Sequence, residues 1–288
     1  MDEAVAEAFT LLGDETRLRI VDALGDHSDP GEFSTLPFAE LREAVGMRDS
    51  GNFNYHLQKL VPRFVEATDE GYRLALPGIY VYRALRSGTY APSEEGPRHE
   101  IEMACEECGA PEEVWVAEGR CHHGCADCGI VHNRYPLPAG GLARFDAANA
   151  WPLLYGRLTV DSIAFLLGFC PYCSGSVHTE LSTERERLEY PEGDLTEAVA
   201  TMSCEWCRWY VHSNVGALVS RHPALLEFYL RHGADPFTED VSRSFDVDVT
   251  VESRDPWRLA TTLAPPDDSE TLRVVFDGSL AVVELAVT

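Results

Sequence analysis

Ser50-Gly51-Asn52-Phe53-Asn54-Tyr55-His56-Leu57-Gln58-Lys59-Leu60 decides how the first third of this chain is read. Its apolar residues Phe53, Leu57 and Leu60 recur at intervals of four and three, the spacing of one helical face. Asp49 or Ser50 can cap its start. With that face turned inward, Asn52, Tyr55, Gln58 and Lys59 point outward, and His56 lies nearer the buried side as a structural residue. Upstream, Pro37 suits the first position of a helix carrying Leu41 and Val45 and closed by Gly46. Before it come a polar loop, 26–31, and a short extended stretch, 33–36. Asp14 caps a helix with Leu18, Ile20, Val21 and Leu24 at helical spacing and Gly25 as its stop. A first helix, 3–12, sets Ala4, Val5, Ala8, Phe9 and Leu12 on one stripe. Downstream, residues 64–67 and 72–75 flank the turn Thr68-Asp69-Glu70-Gly71, a hairpin signal, and 77–87 returns to helix.

The length of 288 residues favours about two domains, and 45% hydrophobic content is enough for packed cores. No apolar run approaches the ~20 residues of a membrane span. The chain opens Met1-Asp2-Glu3, with neither basic nor hydrophobic leader, so a soluble, cytoplasmic protein without membrane contact is expected. Asp and Glu number 48 against 23 Lys and Arg, a net charge of −25, and Lys59 is the only lysine. Such an excess argues against phosphate partners, but acidity with almost no lysine is also the habit of extreme halophiles. In molar salt the Debye length is about 3 Å, so distant carboxylates are hardly felt. Global charge therefore reports habitat, while residues 48–64 hold Arg48, Lys59 and Arg63 against Asp49 alone.

Helix, helix, short strand, helix, helix, hairpin, helix is the order of a winged helix-turn-helix. The stretch Leu12-Gly13-Asp14-Glu15-Thr16-Arg17-Leu18-Arg19-Ile20 resembles the opening of the ArsR family of regulators. So does His56-Leu57-Gln58-Lys59-Leu60, running into Phe64-Val65 and a wing ending Gly71-Tyr72. The resemblance covers residues 1–90 and is closest to haloarchaeal members in which a cysteine-paired region follows. It implies double-stranded DNA as partner, with the second helix of the pair in the major groove. Asn52 and Gln58 can then bond bidentately to adenine, with Tyr55 on the same outer face. Ser50, Lys59 and Arg63 can meet phosphates. The wing offers only Arg73 among Glu66, Asp69 and Glu70. Many ArsR-type proteins sense metal through cysteines on the preceding helix; here 38–46 has none, so that mechanism is not carried over. The family also implies a homodimer through its first and last helices, here Val5, Phe9, Ile79, Tyr82 and Leu85, residues that serve equally as core within the domain.

Residues 91–98, with two prolines, Gly96 and Glu94-Glu95, read as a linker. Beyond it, eight of nine cysteines fall into four C-x-x-C pairs, which without a secretory signal point to metal ligation. Cys105/Cys108 and Cys125/Cys128, sixteen residues apart, can close a tetrahedral four-sulfur zinc site, a zinc ribbon. Cys121, His122 and His123 compete as ligands; Cys125 is preferred because Cys128-Gly129 repeats Cys108-Gly109. Cys170/Cys173 and Cys204/Cys207, thirty residues apart across a polar insertion at 182–196, form the second set. About two structural zinc ions per chain are expected. A partition crossing the two sets stays open, as does the role of Cys121.

The rest of the C-terminal half reads as an apolar helix at 160–169, a helix at 222–231 with Pro223 inside its start, and an alternating strand through Phe245, Val247, Val249 and Val251. A hairpin follows, 272–276 and 280–285 around Asp277-Gly278. The fold class is α+β: an N-terminal winged helix (1–90), a linker (91–98), and a zinc-binding domain (99–288). That last domain has ribbon-like sets around 105–128 and 170–207 and a small antiparallel sheet at 244–286. The expected function is a sequence-specific transcriptional regulator with no enzyme activity, its C-terminal half able to bind an effector or partner or simply completing the fold. A zinc-ribbon adaptor between proteins is the alternative. A zinc deaminase is a further one: His178-Thr179-Glu180 with Cys204-x-x-Cys207 resembles that signature, but Ser203 stands where it has proline.

Overall fold

The computed structural model describes residues 2–28, 33–90, 95–137, 140, 147–183, 198–267 and 269–288. The protein is mixed α+β with small antiparallel sheets, in two compact units: Met1–Glu94 with Leu137–Arg144, and Glu95–Pro136 with Phe145–Thr288. Residues 91–94 of the expected linker, 29–31 of the first polar loop, and 184–197, nearly all of the expected insertion, lie outside the described residues. No helix among the described residues is long and apolar enough to cross a membrane.

The first unit is built from α1 (Glu3–Leu12), α2 (Glu15–Asp26), α3 (Phe38–Ala44), α4 (Ser50–Leu60), the hairpin β1 (Val65–Thr68) and β2 (Gly71–Leu74), and α5 (Leu76–Ser87). Side-chain caps start three of the helices: Asp2, Asp14 and Asp49 each accept a bond from a backbone N–H two or three residues on. Leu36 bridges Tyr72, so the expected extended stretch adds one residue pair to the hairpin. Ile20, Val21, Leu24, Leu41, Phe53, Leu57 and Leu60, all at 0% exposure, form the core. Gly25 does not stop α2, which runs through it to Asp26. Its hydrogen makes room for the Tyr82 ring of α5, which would lie 2.2 Å from a Cβ. Ile79, Tyr82 and Leu85 pack against this core, whereas Val5 and Phe9 on α1 stay 45% and 65% exposed.

In the second unit, β3 (His99–Ala104), β4 (Pro111–Ala117), β5 (Arg120–Gly124) and β6 (Val131–Tyr135) form an antiparallel meander. Helix α6 (Ala147–Leu166) leads to the sheet β7 (Val177–Ser182), β8 (Val199–Cys204) and β9 (Tyr210–Asn214). After α7 (Val215–Val219) and α8 (Leu226–Arg231) comes a second meander: β10 (Asp246–Arg254), β11 (Trp257–Ala264), β12 (Leu272–Asp277) and β13 (Val282–Val287). Ala198, Ala200 and Met202, in and beside β8, pack with α7, α8 and the inner face of the last sheet in one core. The helix expected at 160–169 is longer and ends earlier. Ala150, Trp151, Leu154 and Tyr155 give its first half a buried stripe that Pro152 disguised. The helix expected at 222–231 begins as a 3-10 turn, Pro223–Leu225, and its Leu230 is 60% exposed. Strand β11 was not anticipated, because Trp257-Arg-Leu-Ala-Thr-Thr-Leu-Ala lacks period-two alternation; it runs between two neighbours with burial on both faces.

Candidate functional site

Each C-x-x-C pair sits in the same backbone turn. Gly109 N–H bonds the Cys105 carbonyl (2.8 Å), and Cys105 N–H bonds that of Ala110 (2.8 Å). Cys125–Ile130, Cys170–Gly175 and Cys204–Trp209 repeat both bonds. The residue after the second cysteine must be left-handed for this return: Gly109 and Gly129 at φ 76°, Ser174 at 58° and Arg208 at 63°. Facing turns then bring sulfurs together. Cys105–Cys128 and Cys108–Cys125 are 3.7 and 3.5 Å apart, Cys170–Cys207 and Cys173–Cys204 3.6 and 3.4 Å. Four thiolates bound at about 2.3 Å around a tetrahedral ion stand about 3.8 Å apart, so both groups have the size of such a site. The partition is the uncrossed one, and either group could hold a metal ion through four sulfurs.

Cys121 joins neither group. It is fully buried on β5, and burial pushes its thiol up to about 12, away from the reactive range. His122, the rival beside it, stacks on Trp115 and lies 3.1 Å from the Ala117 carbonyl. His123 turns to Glu112 (2.7 Å). That glutamate, at 0% exposure, is the centre of a network that sequence reasoning missed. Arg243 donates to both its oxygens (2.9 and 3.1 Å) and to the Ala104 carbonyl (3.0 Å), just before Cys105, while His132 lies 3.0 Å away. Burial alone would raise the Glu112 carboxyl, but the bonds from His123 and Arg243 outweigh it and hold it near 2. Burial lowers His123. Cys105, Glu112 and His132 come within ligand distance of one another, yet the glutamate oxygens are already engaged and Cys105 belongs to the first group. The arrangement supports the first cysteine turn from behind, as an outer shell orients a metal ligand. Nothing in local spacing joins Arg243 to Glu112, 131 residues earlier.

His178 and Glu180 lie on β7 opposite Ser203 and Thr201, and the second group assembles without either. A closed four-sulfur site has no open position for water.

On α4, Phe53, Leu57 and Leu60 are buried, while Asn52, Tyr55, Gln58 and Lys59 are exposed, with the Lys59 ammonium 5.6 Å from the Tyr55 ring centre. Asp49 is the cap, so Ser50 is simply the first helical residue and is exposed. His56 sits 3.3 Å from the Asp14 carboxylate, tying α4 to the start of α2. Arg63 donates to the Ala4 carbonyl (3.0 Å) and lies 3.6 Å from Glu7, and Arg73 pairs with Glu66 (2.8 Å). Both are thus engaged within the unit.

The family model of the domain of unknown function DUF7351 matches residues 102–282, spanning both cysteine groups and most of the second unit. That of the domain of unknown function DUF7347 matches residues 5–85, from α1 to α5. No curated protein matches the chain.

Proposed function

We propose that this chain, which belongs to the DUF7351 family, is a DNA-binding transcriptional regulator: a winged helix resembling the ArsR family at residues 1–90, carried by a domain with two structural zinc ions. The observation that supports this most is the two-sidedness of α4. Three residues at 0% exposure anchor it, and its opposite face presents Asn52, Tyr55, Gln58 and Lys59 with none of them in an ion pair among the described residues. An amide-bearing face on the second helix of such a pair suits base edges in the major groove. The phosphate contacts rest on Ser50 and Lys59, since Arg63 and Arg73 would have to exchange Glu7 and Glu66 for phosphate. Val5 and Phe9 supply exposed apolar surface on α1 for a homodimer of the kind the ArsR resemblance implies. The closed sulfur sites favour a structural over a catalytic role for the metal.

The test is occupancy of genomic DNA in the cell, followed by binding to an occupied sequence in high-salt buffer. Gln58→Ala and Asn52→Ala are expected to cost about 1–3 kcal/mol of discrimination at one base pair each. Lys59→Gln should weaken all sequences alike and lower the salt dependence by about one phosphate. A protein that occupies no locus, or three variants that bind like the parent, would overturn the reading.

A further inference from the structure

The second cysteine group has a buried carboxylate behind it that cysteine spacing does not reveal. Asp161, on α6, is 1% exposed. One of its oxygens, Oδ2, accepts two bonds: from the Tyr135 hydroxyl at the end of β6, and from Arg157 Nε one turn earlier on α6 (3.1 Å). The other oxygen, Oδ1, is enclosed and has no hydrogen-bond partner among the described residues. A buried charge with one bare oxygen is costly, so its worth lies in what the two bonds hold in place.

Each bond leads to a different turn of the second group. The Arg157 guanidinium stands 6.0 Å from the ring centre of Tyr172, which lies between Cys170 and Cys173. The Tyr135 ring meets that of Trp209 edge-on, with centres 6.5 Å apart, and the Trp209 carbonyl closes the Cys204 turn. Tyr172 and Trp209 then pack on each other, 4.5 Å between centres. Asp161, Arg157, Tyr172, Trp209 and Tyr135 thus form a closed circuit of side chains that spans both turns. Glu112 has a parallel place behind the first group. There Arg243 reaches the carbonyl before Cys105, while His123 and His132 flank the turn of Cys125 and Cys128.

We infer that Asp161 is a positioning residue for a metal ion in the second group: through Arg157 and Tyr135 it sets the distance between the two turns, and with it the spacing of the four sulfurs. The close sulfur pairs, Cys170–Cys207 and Cys173–Cys204, both run from one turn to the other, so slack between the turns passes directly into the size of the site. Turns already held at ligating distance need less ordering when the ion binds. Loss of an outer partner of this kind costs about 10–100-fold in metal affinity. The inference rests on reading the second group as a metal site and is independent of DNA binding.

The test uses the full, reduced, zinc-loaded chain in high salt and follows release of each ion to a chelator. The Cys125→Ser background, where only the second ion is expected, identifies which rate belongs to which group. Asp161→Asn keeps the size of the side chain and removes its charge. It is expected to release the second ion about 10–100-fold faster and the first at the parental rate. Tyr135→Phe and Arg157→Met each cut one arm and should speed release of the same ion by less; they decide the matter if Asp161→Asn does not fold. With cobalt(II) in the Cys125→Ser chain, Asp161→Asn should also shift the ligand-field bands of the four-sulfur site. Leu259→Ala, a truncation in the core of the same unit, controls for general destabilisation and should leave the ratio of the two release rates unchanged. If Asp161→Asn sped both ions by one factor, as a core truncation would, or if the variants released the second ion at the parental rate, the inference would be overturned. A parent chain that holds no second ion would overturn the metal reading and the inference together.

Discussion

The two four-cysteine groups share one backbone geometry and differ in nearly everything around it. Between its cysteines the first group carries Glu106-Glu107 and Ala126-Asp127, all exposed, returns its chain through two glycines, and is backed by the buried Glu112–Arg243 pair. The second carries Pro171-Tyr172 and Glu205-Trp206, with Trp206 79% exposed, and returns through Ser174 and Arg208. Behind it lies the main core, since Cys204 ends the strand that contributes Ala200 and Met202, and the Arg157–Asp161 pair (3.1 Å) brings its guanidinium to 6.0 Å from the Tyr172 ring centre. The hydrogen-bonded turn is what places the sulfurs; the means of fixing that turn to the body are interchangeable.

Loss of a metal ion should expose this difference most. Binding at a structural four-sulfur site is coupled to about 10–16 kcal/mol of folding free energy, as much as the net stability of a whole domain. Cys125→Ser and Cys204→Ser should each lower metal content from about two ions to about one. In thermal unfolding Cys204→Ser should abolish the main transition of the second unit, because its strand belongs to the core, whereas Cys125→Ser should leave a residual transition. Equal losses would break the comparison. A smaller effect is expected from Arg243→Met, which leaves the Glu112 carboxylate buried beside His123 and His132 without the guanidinium that donates to both its oxygens. Removing one member of a buried pair costs about 3–5 kcal/mol, read from urea unfolding. A chelator should then strip the first ion about 10–100-fold more readily and the second at the parental rate. If both ions were released faster, Arg243 would be acting on overall stability and not on the first turn.

The legible parts of this molecule are those written in local spacing. The period of Phe53, Leu57 and Leu60 marked the orientation of α4, and the C-x-x-C intervals marked the two four-cysteine groups, because a turn and a helical face each span only a few residues. What stayed hidden was set at long range. Arg243 reaches Glu112 only through the tertiary fold. Strand β11 shows no alternation because both of its faces are covered, and Pro152 disguised a helix whose buried side is fixed by other elements. Gly25 carried a stop signal, yet a neighbouring tyrosine ring gives that position a different use. Arg63 and Arg73 look free in sequence and are engaged by glutamates on other elements. Charge count alone cannot show which cations are spent.

The return residues give the smallest and most symmetrical test. Holding a non-glycine residue in the left-handed region costs about 1–2 kcal/mol, while a glycine loses about 0.4–1 kcal/mol more chain entropy on folding than a residue with a side chain. The two terms oppose each other, and strain is the larger. At Gly109, where a Cβ would meet nothing within 4 Å, substitution by alanine brings the strain and recovers only the entropy. Gly109→Ala should therefore destabilise the first turn by about 0.5–1 kcal/mol. Ser174→Gly reverses both terms, so it should stabilise the second turn by about the same amount. Unfolding of the metal-loaded variants in urea measures both. Changes of opposite sign and similar size would mean that the left-handed return is a common requirement which the first group meets with glycine and the second meets under strain. A Ser174→Gly variant no more stable than the parent would show that contacts of the Ser174 side chain already offset the strain.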